Sequence, residues 1–197
     1  MKNKNVSVII PNYNYGHFIG SAITSALSQT CPPFEVIVIN NGSTDDSLEI
    51  LRTFGSQIQI IDQANLGQAG ARNSGLRNFR GDFVAFLDAD DYWEPEKLEL
   101  QLRLVSANTE FVFSGINRFN NLRNTTPEYL EPFARGNRKF DFLDFPGVST
   151  VLSGESSSLF SKGLFQKVGF FDTRLKSFLI KSTMVACSEI SLGSFNI

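Results

Sequence analysis

Three carboxylates, Asp88, Asp90 and Asp91, stand at the end of the apolar run Phe83-Val84-Ala85-Phe86-Leu87. On an extended backbone Asp88 and Asp90 alternate across Ala89, so both can face one side of the chain. Paired hard oxygen ligands of this kind suit Mg2+ or Mn2+, which bridge protein carboxylates to substrate phosphates. In the competing reading the acids are solvated loop residues or caps for a helix opening at Pro95, and Asp91 fits that description. The single histidine, His17, lies at the start of a helical pattern and reads as a surface residue rather than a catalyst.

The run before Asp88 has no helical period and reads as a strand buried on both faces, as in a parallel sheet. Val6-Ser7-Val8-Ile9-Ile10, halted by Pro11, predicts a first strand, and Pro11-Asn12-Tyr13-Asn14-Tyr15-Gly16 is turn chemistry with two aromatic rings. Phe18, Ile19, Ala22, Ile23, Ala26 and Leu27 then recur at helical spacing toward Thr30. Glu35 to Asn40 predicts a second buried strand, and Asn41-Gly42-Ser43-Thr44-Asp45-Asp46 a tight turn into a helix. Asp46 and Glu49 have capping-box spacing there, and Leu48, Leu51 and Phe54 form the apolar stripe.

Gln57 to Asp62 alternates like a half-exposed strand near a sheet edge. Asn65 to Gly75 is rich in small residues and predicts a loop entering a helix packed closely on the sheet. After the acidic run comes a helix with Pro95 in its first turn and Leu98, Leu102 and Val105 inside. Strands and helices thus alternate from residue 6 to about residue 107, which argues for a right-handed parallel α/β sheet. Ligands of such sheets bind beyond the C-terminal ends of the strands. Those ends deliver Pro11 to Tyr13, Asn40 to Ser43, Asn65 with its loop, and Asp88 to Asp91 to one rim.

Beyond residue 108 the pattern weakens. Thr109 to Gly115 predicts a strand, Asn120 to Arg138 a polar loop, Ser156 to Phe160 a strand and Lys162 to Val168 a short helix. Gly169-Phe170-Phe171-Asp172 closes that helix as a turn. The tail from Phe178 is apolar and Ser-rich without a period.

A chain of 197 residues makes one domain or slightly more, and its 42% hydrophobic and 19% charged residues describe a soluble globular protein. Nineteen Phe against one Trp predict a Phe-filled core. A net charge of −2 gives no electrostatic case for nucleic acid. Cys31 and Cys187 are too few for a disulfide framework or a zinc site, so a reducing cytosol is the expected compartment. Lys2 and Lys4 precede a strand rather than a signal peptide, and no apolar stretch is long enough to cross a bilayer. Cytoplasmic work, including work at the inner face of the membrane, is compatible with this.

Several stretches together resemble the family 2 glycosyltransferases, whose nucleotide-sugar-binding fold is Rossmann-like and termed GT-A. They are VSVIIPNY (Val6 to Tyr13), EVIVINNGSTDD (Glu35 to Asp46), NLGQAGARNSG (Asn65 to Gly75), FLDADDYWEP (Phe86 to Pro95) and GLFQKVGFFDTRL (Gly163 to Leu175). The likeness runs from residue 6 to about residue 176 and implies a mostly parallel sheet flanked by helices. It further implies a GT-A domain over residues 1–177, incomplete at its C-terminus, followed by an atypical tail over residues 178–197.

The resemblance also assigns roles. Pro11, Asn12 and Tyr13 line the base pocket, with Tyr13 against the nucleobase. Asn40 and Asn41 stand where the family usually carries acids that bind base and ribose; an Asn oxygen still accepts from a base N–H. Ser43 either touches the nucleotide or caps the following helix, the cap being the better reading. Arg72 sits where the family places a cation near the ribose or diphosphate, the alternative being a structural Arg paired with a rim carboxylate. Asp88 and Asp90 match the metal motif for Mg2+ or Mn2+, with Asp88 and Ala89 also at the donor.

The implied reaction is inverting transfer from a nucleoside-diphosphate sugar to a carbohydrate, lipid-linked or protein acceptor, as in polysaccharide biosynthesis. Inversion needs a carboxylate to deprotonate the acceptor. The family's Glu/Asp-Asp pair after the Gly169–Asp172 turn is absent; beyond that turn stands only Glu189, with Glu155 upstream as a weak substitute. A nucleotide-sugar-binding module without its base is therefore the second reading. A sugar-nucleotidyltransferase is a weaker third, since the Gly-rich phosphate loop expected after its first strand is missing.

Overall fold

The computed structural model describes residues 4–107, 109–118, 128–130, 138–140, 155–174 and 190–193. Strands β1 (Val6–Asn12), β2 (Glu35–Asn41), β3 (Gln59–Gln63) and β4 (Phe83–Phe86) run parallel in the order β3-β2-β1-β4. Helices α1 (Gly16–Leu27), α2 (Ser47–Thr53) and α3 (Gly67–Asn78) connect them in turn, and α4 (Lys97–Leu104) follows β4. β-branched runs supply the strands, and helical spacing of Ile19, Ala22, Ile23 and Ala26 buries one face of α1.

Later come β5 (Phe111–Phe113), β6 (Ile116–Arg118), β7 (Glu128–Leu130), β8 (Arg138–Phe140), β9 (Ser158–Ser161), α5 (Lys162–Val168) and β10 (Ile190–Gly193). β9 inserts antiparallel between β4 and β5, and the sheet continues through β10 to β8. β6 and β7 form a separate antiparallel pair. The architecture is the expected α/β one, a mostly parallel sheet flanked by helices.

Alternation along the strands divides the core into two layers. Ile9, Ile37, Ile39, Val84 and Phe86 face α3 and the Phe160-Leu164-Phe171 cluster. Val8, Ile10, Val36, Val38, Ala85 and Leu87 face α1, α2 and α4. The Phe-rich composition concentrates in the first layer, where Phe86 meets Phe171 edge-on with centroids 5.6 Å apart. α3 lies close to β1 because of its small residues: a Cβ at Gly75 would come within 2.5 Å of Ile9 Cγ2.

Several local expectations need correction. Phe18 is exposed, because it falls off the buried stripe of α1. Asp46 occupies the position before α2 but its side chain caps nothing; Asp45 instead accepts from Ser47 N–H. α4 begins at Lys97, two residues after Pro95. β7 and β8 fall partly within the stretch read as a polar loop, and β10 within the tail. The remainder of that loop and of the tail over 178–197 lies outside the described residues. β3 is indeed the sheet edge.

Candidate functional site

All four parallel strands end at one rim, and their alternation decides which side chains share a face of it. Pro11 continues the parity of Ile9, Asn41 that of Ile39, and Asp88 that of Phe86, all on the α3 side. Tyr13 follows in a bend just past β1 and is 45% exposed. Asn12 and Asn40 continue the parity of Ile10 and Val38, on the α1–α2 side.

The acidic residues form a tight turn, closed by Asp91 N–H donating to the Asp88 carbonyl at 3.1 Å. Arg72, projecting from α3, is 1% exposed and donates to Asp88 Oδ1 at 2.9 Å. Its guanidinium lies 5.9 Å from the centre of the Phe86 ring. With its amide oriented to satisfy both groups, Gln68 also accepts from this guanidinium, at 3.0 and 3.3 Å. The alternative in which Arg72 pairs with a rim carboxylate is thus the observed arrangement. Asp90 is exposed at the tip of the turn, while Ala89 packs in the layer of α1 and α4. Among the described residues no three His, Cys, Asp or Glu side chains converge as a metal cage.

Asp91 is not a helix cap. Its carboxyl turns to Ser156, whose Oγ donates to Asp91 Oδ2 and accepts from Asp88 N–H at 3.0 Å. Desolvation raises the Asp91 pKa above the usual carboxylate value, against the Ser156 hydrogen bond, with the charges of Asp88 and Asp90 adding to the rise. Trp93 anchors the same segment, its Nε1–H donating to the Ser156 carbonyl at 2.7 Å. Below it Lys97 is buried, with Nζ 3.9 Å from the centre of the Trp93 ring and 2.9 Å from Gln101 Oε1. Burial pushes the Lys97 ammonium down to about 7.

The amides at the rim serve the connections between elements. Asn41 is fully committed: its Nδ2 donates to Asn65 Oδ1 and the Gly67 carbonyl, and its Oδ1 accepts from Gln63 Nε2 and Leu66 N–H. That uses all its hydrogen-bonding capacity on the β3–α3 connection and leaves none for a base or ribose. Asn40 donates to Asp62 Oδ1 at 2.8 Å on the opposite face. Ser43 does not cap α2. Its Oγ accepts from Asn12 Nδ2 and Asn14 N–H, so it ties the two loops together.

Asn14, at φ 58°, completes that tie by accepting from Thr44 N–H at 2.7 Å. Asp45 accepts from Gly16 N–H at the start of α1. Burial works to raise its pKa, but bonds from Ser47 and Gly16 hold the carboxyl below its ordinary value. His17 is exposed on α1, as expected.

Sequence reasoning missed Ser156, Trp93, Lys97 and Asn73. Asn73 exchanges two 2.9 Å hydrogen bonds with the Phe171 backbone and so fixes the Gly169–Asp172 turn to α3. A helical Asn inside an otherwise small-residue face was the available signal for it. A concavity of about 430 Å3 lies between α1 and Tyr92-Trp93-Pro95, away from Arg72. The side chain of Glu155 lies outside the described residues, as does Glu189.

This geometry can be set beside known proteins. An uncharacterised glycosyltransferase of Rickettsia prowazekii is 33% identical over 175 residues, covering 87% of this chain and 54% of its own. The chain therefore spans about half the length of that relative. The structure of Staphylococcus aureus TarS 1–349 with UDP superposes with a TM-score of 0.76 at 24% identity, over 98% of this chain and 58% of TarS 1–349. A Pyrobaculum calidifontis mannosyltransferase, solved with GDP-Man and Mn2+, gives 0.68 at 20% identity over 96% and 54% of the two chains. Both share the GT-A fold with this chain. The sequence profile of Glycosyl transferase family 2 matches residues 7–169, and the chain belongs to that family.

Proposed function

We propose that this chain binds a nucleoside-diphosphate sugar at the rim and transfers its sugar, with inversion, to an acceptor hydroxyl. The observation that carries this reading is the Arg72–Asp88 pair at the strand-end rim beside the exposed Asp90, on the face of the sheet to which Pro11 belongs, with Tyr13 exposed just past β1. Residues 1–177 make up the donor-binding unit in this reading. Tyr13 offers an exposed ring for the base, while Asn12, Asn40, Asn41 and Ser43 shape the pocket from behind. Ala89, its side chain buried, contributes main chain only.

Asp88 and Asp90 fit Mg2+ or Mn2+: both are hard oxygen donors, and two carboxylates without a protein cage leave positions for diphosphate and water. Such an ion, when bound, would stabilise the departing diphosphate. Arg72 holds Asp88 in place through its hydrogen bond to Oδ1. The mannosyltransferase solved with GDP-Man and Mn2+ supports this donor chemistry.

The binding-module reading has one observation in its favour. Asp172 accepts from Arg174, which drives its pKa down to about 2, so it is a poor general base. Glu155 and Glu189 are further candidates within these 197 residues. The acceptor side is open to a carbohydrate, a lipid-linked saccharide or a protein. Among the described residues no helix is long and apolar enough to cross a membrane. A cytoplasmic enzyme acting at the inner membrane face in polysaccharide synthesis fits these features. A thermal-shift screen of UDP-, GDP- and dTDP-sugars with and without Mn2+ tests donor binding, and product analysis then separates transferase from binding module. No Mn2+-dependent shift with any of them would refute the proposal.

A further inference from the structure

Ser156 approaches the acidic turn from 68 positions away in sequence and touches both of its ends. Its hydroxyl accepts from Asp88 N–H and donates to the Asp91 carboxylate, while its carbonyl accepts from Trp93 Nε1–H. The turn is already closed by Asp91 N–H to the Asp88 carbonyl. One hydroxyl therefore runs parallel to the main-chain closure and fixes what that closure leaves free, namely the direction of the Asp91 side chain.

The consequence is a division among three neighbouring acids. Asp88 is held by Arg72, Asp91 is held by Ser156, and Asp90 projects at the tip. Without the Ser156 hydroxyl, the Asp91 carboxylate would be free to turn toward the ion as a third oxygen ligand, and Asp88 N–H would lose its acceptor. Metal affinity and selectivity in oxygen sites follow ligand charge and rigidity. A hydroxyl that withdraws one carboxylate and pins the backbone of another sets both.

We infer that Ser156 is a positioning residue for the metal–diphosphate end of the donor site, withholding Asp91 from the ion and fixing the Asp88 main chain. This rests on the donor-binding reading above. Ser156 touches neither nucleotide nor ion in this role; it acts through Asp88 and Asp91. A contribution of a few-fold to tenfold is the scale expected, because hydrogen bonds to charged groups outweigh neutral ones.

The test is calorimetric binding of UDP and GDP to the full chain across a Mn2+ titration, with the matching nucleosides measured in the absence of metal. In Ser156→Ala the Mn2+ concentration for half-maximal diphosphate binding should rise about tenfold, with nucleoside affinity unchanged. Ser156→Thr, which keeps the hydroxyl, should stay within about threefold of the parent. Asp91→Asn should bind Mn2+ and diphosphate as the parent does, since the amide oxygen still accepts from Ser156. If Ser156→Ala does not fold, Ser156→Cys, a weaker donor, should give an intermediate shift. Equal loss of nucleoside and diphosphate binding in Ser156→Ala or Ser156→Cys would mark a purely structural serine and overturn the inference. So would an unchanged Mn2+ requirement, or a strong Mn2+ effect of Asp91→Asn. A parent chain that binds no nucleotide at any Mn2+ concentration would overturn the donor-binding reading itself.

Discussion

Replacing Lys97 by Met should flatten the pH dependence of stability on the alkaline side of neutrality. Lys97 is buried, and its described partners are the Gln101 amide and the Trp93 ring rather than a carboxylate. Burial lowers its pKa from 10.5 to about 7. The unfolded chain then holds the proton more tightly than the folded one, so stability rises with pH between about 7 and 10.5. The gap of about 3.5 units corresponds to about 5 kcal/mol of opposition to folding below pH 7, of which about 2 kcal/mol disappears between pH 7 and 9.

Attraction between the ammonium and the Trp93 ring offsets part of this, by about 1–2 kcal/mol. Met fills much of the same volume without charge, but it leaves Gln101 Oε1 without its donor at a cost of about 1–3 kcal/mol. The absolute difference at one pH is therefore less telling than its slope. Urea unfolding of parent and Lys97→Met at pH 7 and pH 9 should show the parent gaining about 2 kcal/mol more than the variant over that interval. Parallel profiles would mean that Lys97 keeps its ordinary proton affinity in the fold, and the burial argument would fail.

Asp90→Asn should abolish the Mn2+-dependent part of diphosphate binding while leaving the melting temperature near that of the parent; titration calorimetry reads the first and a thermal melt the second. Tyr13→Ala should weaken UDP and uridine alike, by about 1–3 kcal/mol if the ring stacks on the base, whereas Tyr13→Phe should keep most of the affinity. Uridine binding untouched by Tyr13→Ala would return the ring to a packing role. Asn73→Leu strips partners from the Phe171 N–H and carbonyl, and should lower unfolding free energy by about 2–4 kcal/mol in urea titration.

The parallel half of the fold was readable because β1, β2 and β4 are largely apolar runs ended by Pro, Asn or Asp, and β3 alternates as a half-exposed edge strand does. The rim followed from that order, and Asp88 and Asp90 stood out as acids closing a buried run. What failed to show was anything set by contacts across long sequence separation. Ser156 looks like one serine in a Ser-rich stretch until Asp88 and Asp91 are found against it. Lys97 and Gln101 are polar residues outside the Leu98-Leu102-Val105 set, yet both are buried, Lys97 against the Trp93 ring. The Ser43 cap went astray for a related reason, and the bracing by Asn41 stayed hidden: these residue types suit ligand contact and loop bracing equally, and only neighbours such as Gln63, Leu66 and Asn14 reveal the bracing.

The parity that places Pro11 on one face and Asn12 on the other makes the rim tolerant of substitution and intolerant of changes in length. Removing one residue inside β1 would turn the strand over, sending Pro11 behind the sheet and exchanging Ile9 with Val8 between the two core layers. Insertions and deletions are instead tolerable where β2 is entered, around Cys31 to Phe34, far from the rim. For redesign of nucleotide preference, Asn41 is held by its four hydrogen bonds to the β3–α3 connection, whereas Pro11 and Tyr13 can be varied in place. Their even-numbered neighbours belong to the packing of α1 and α2 and have to be held constant while that is done.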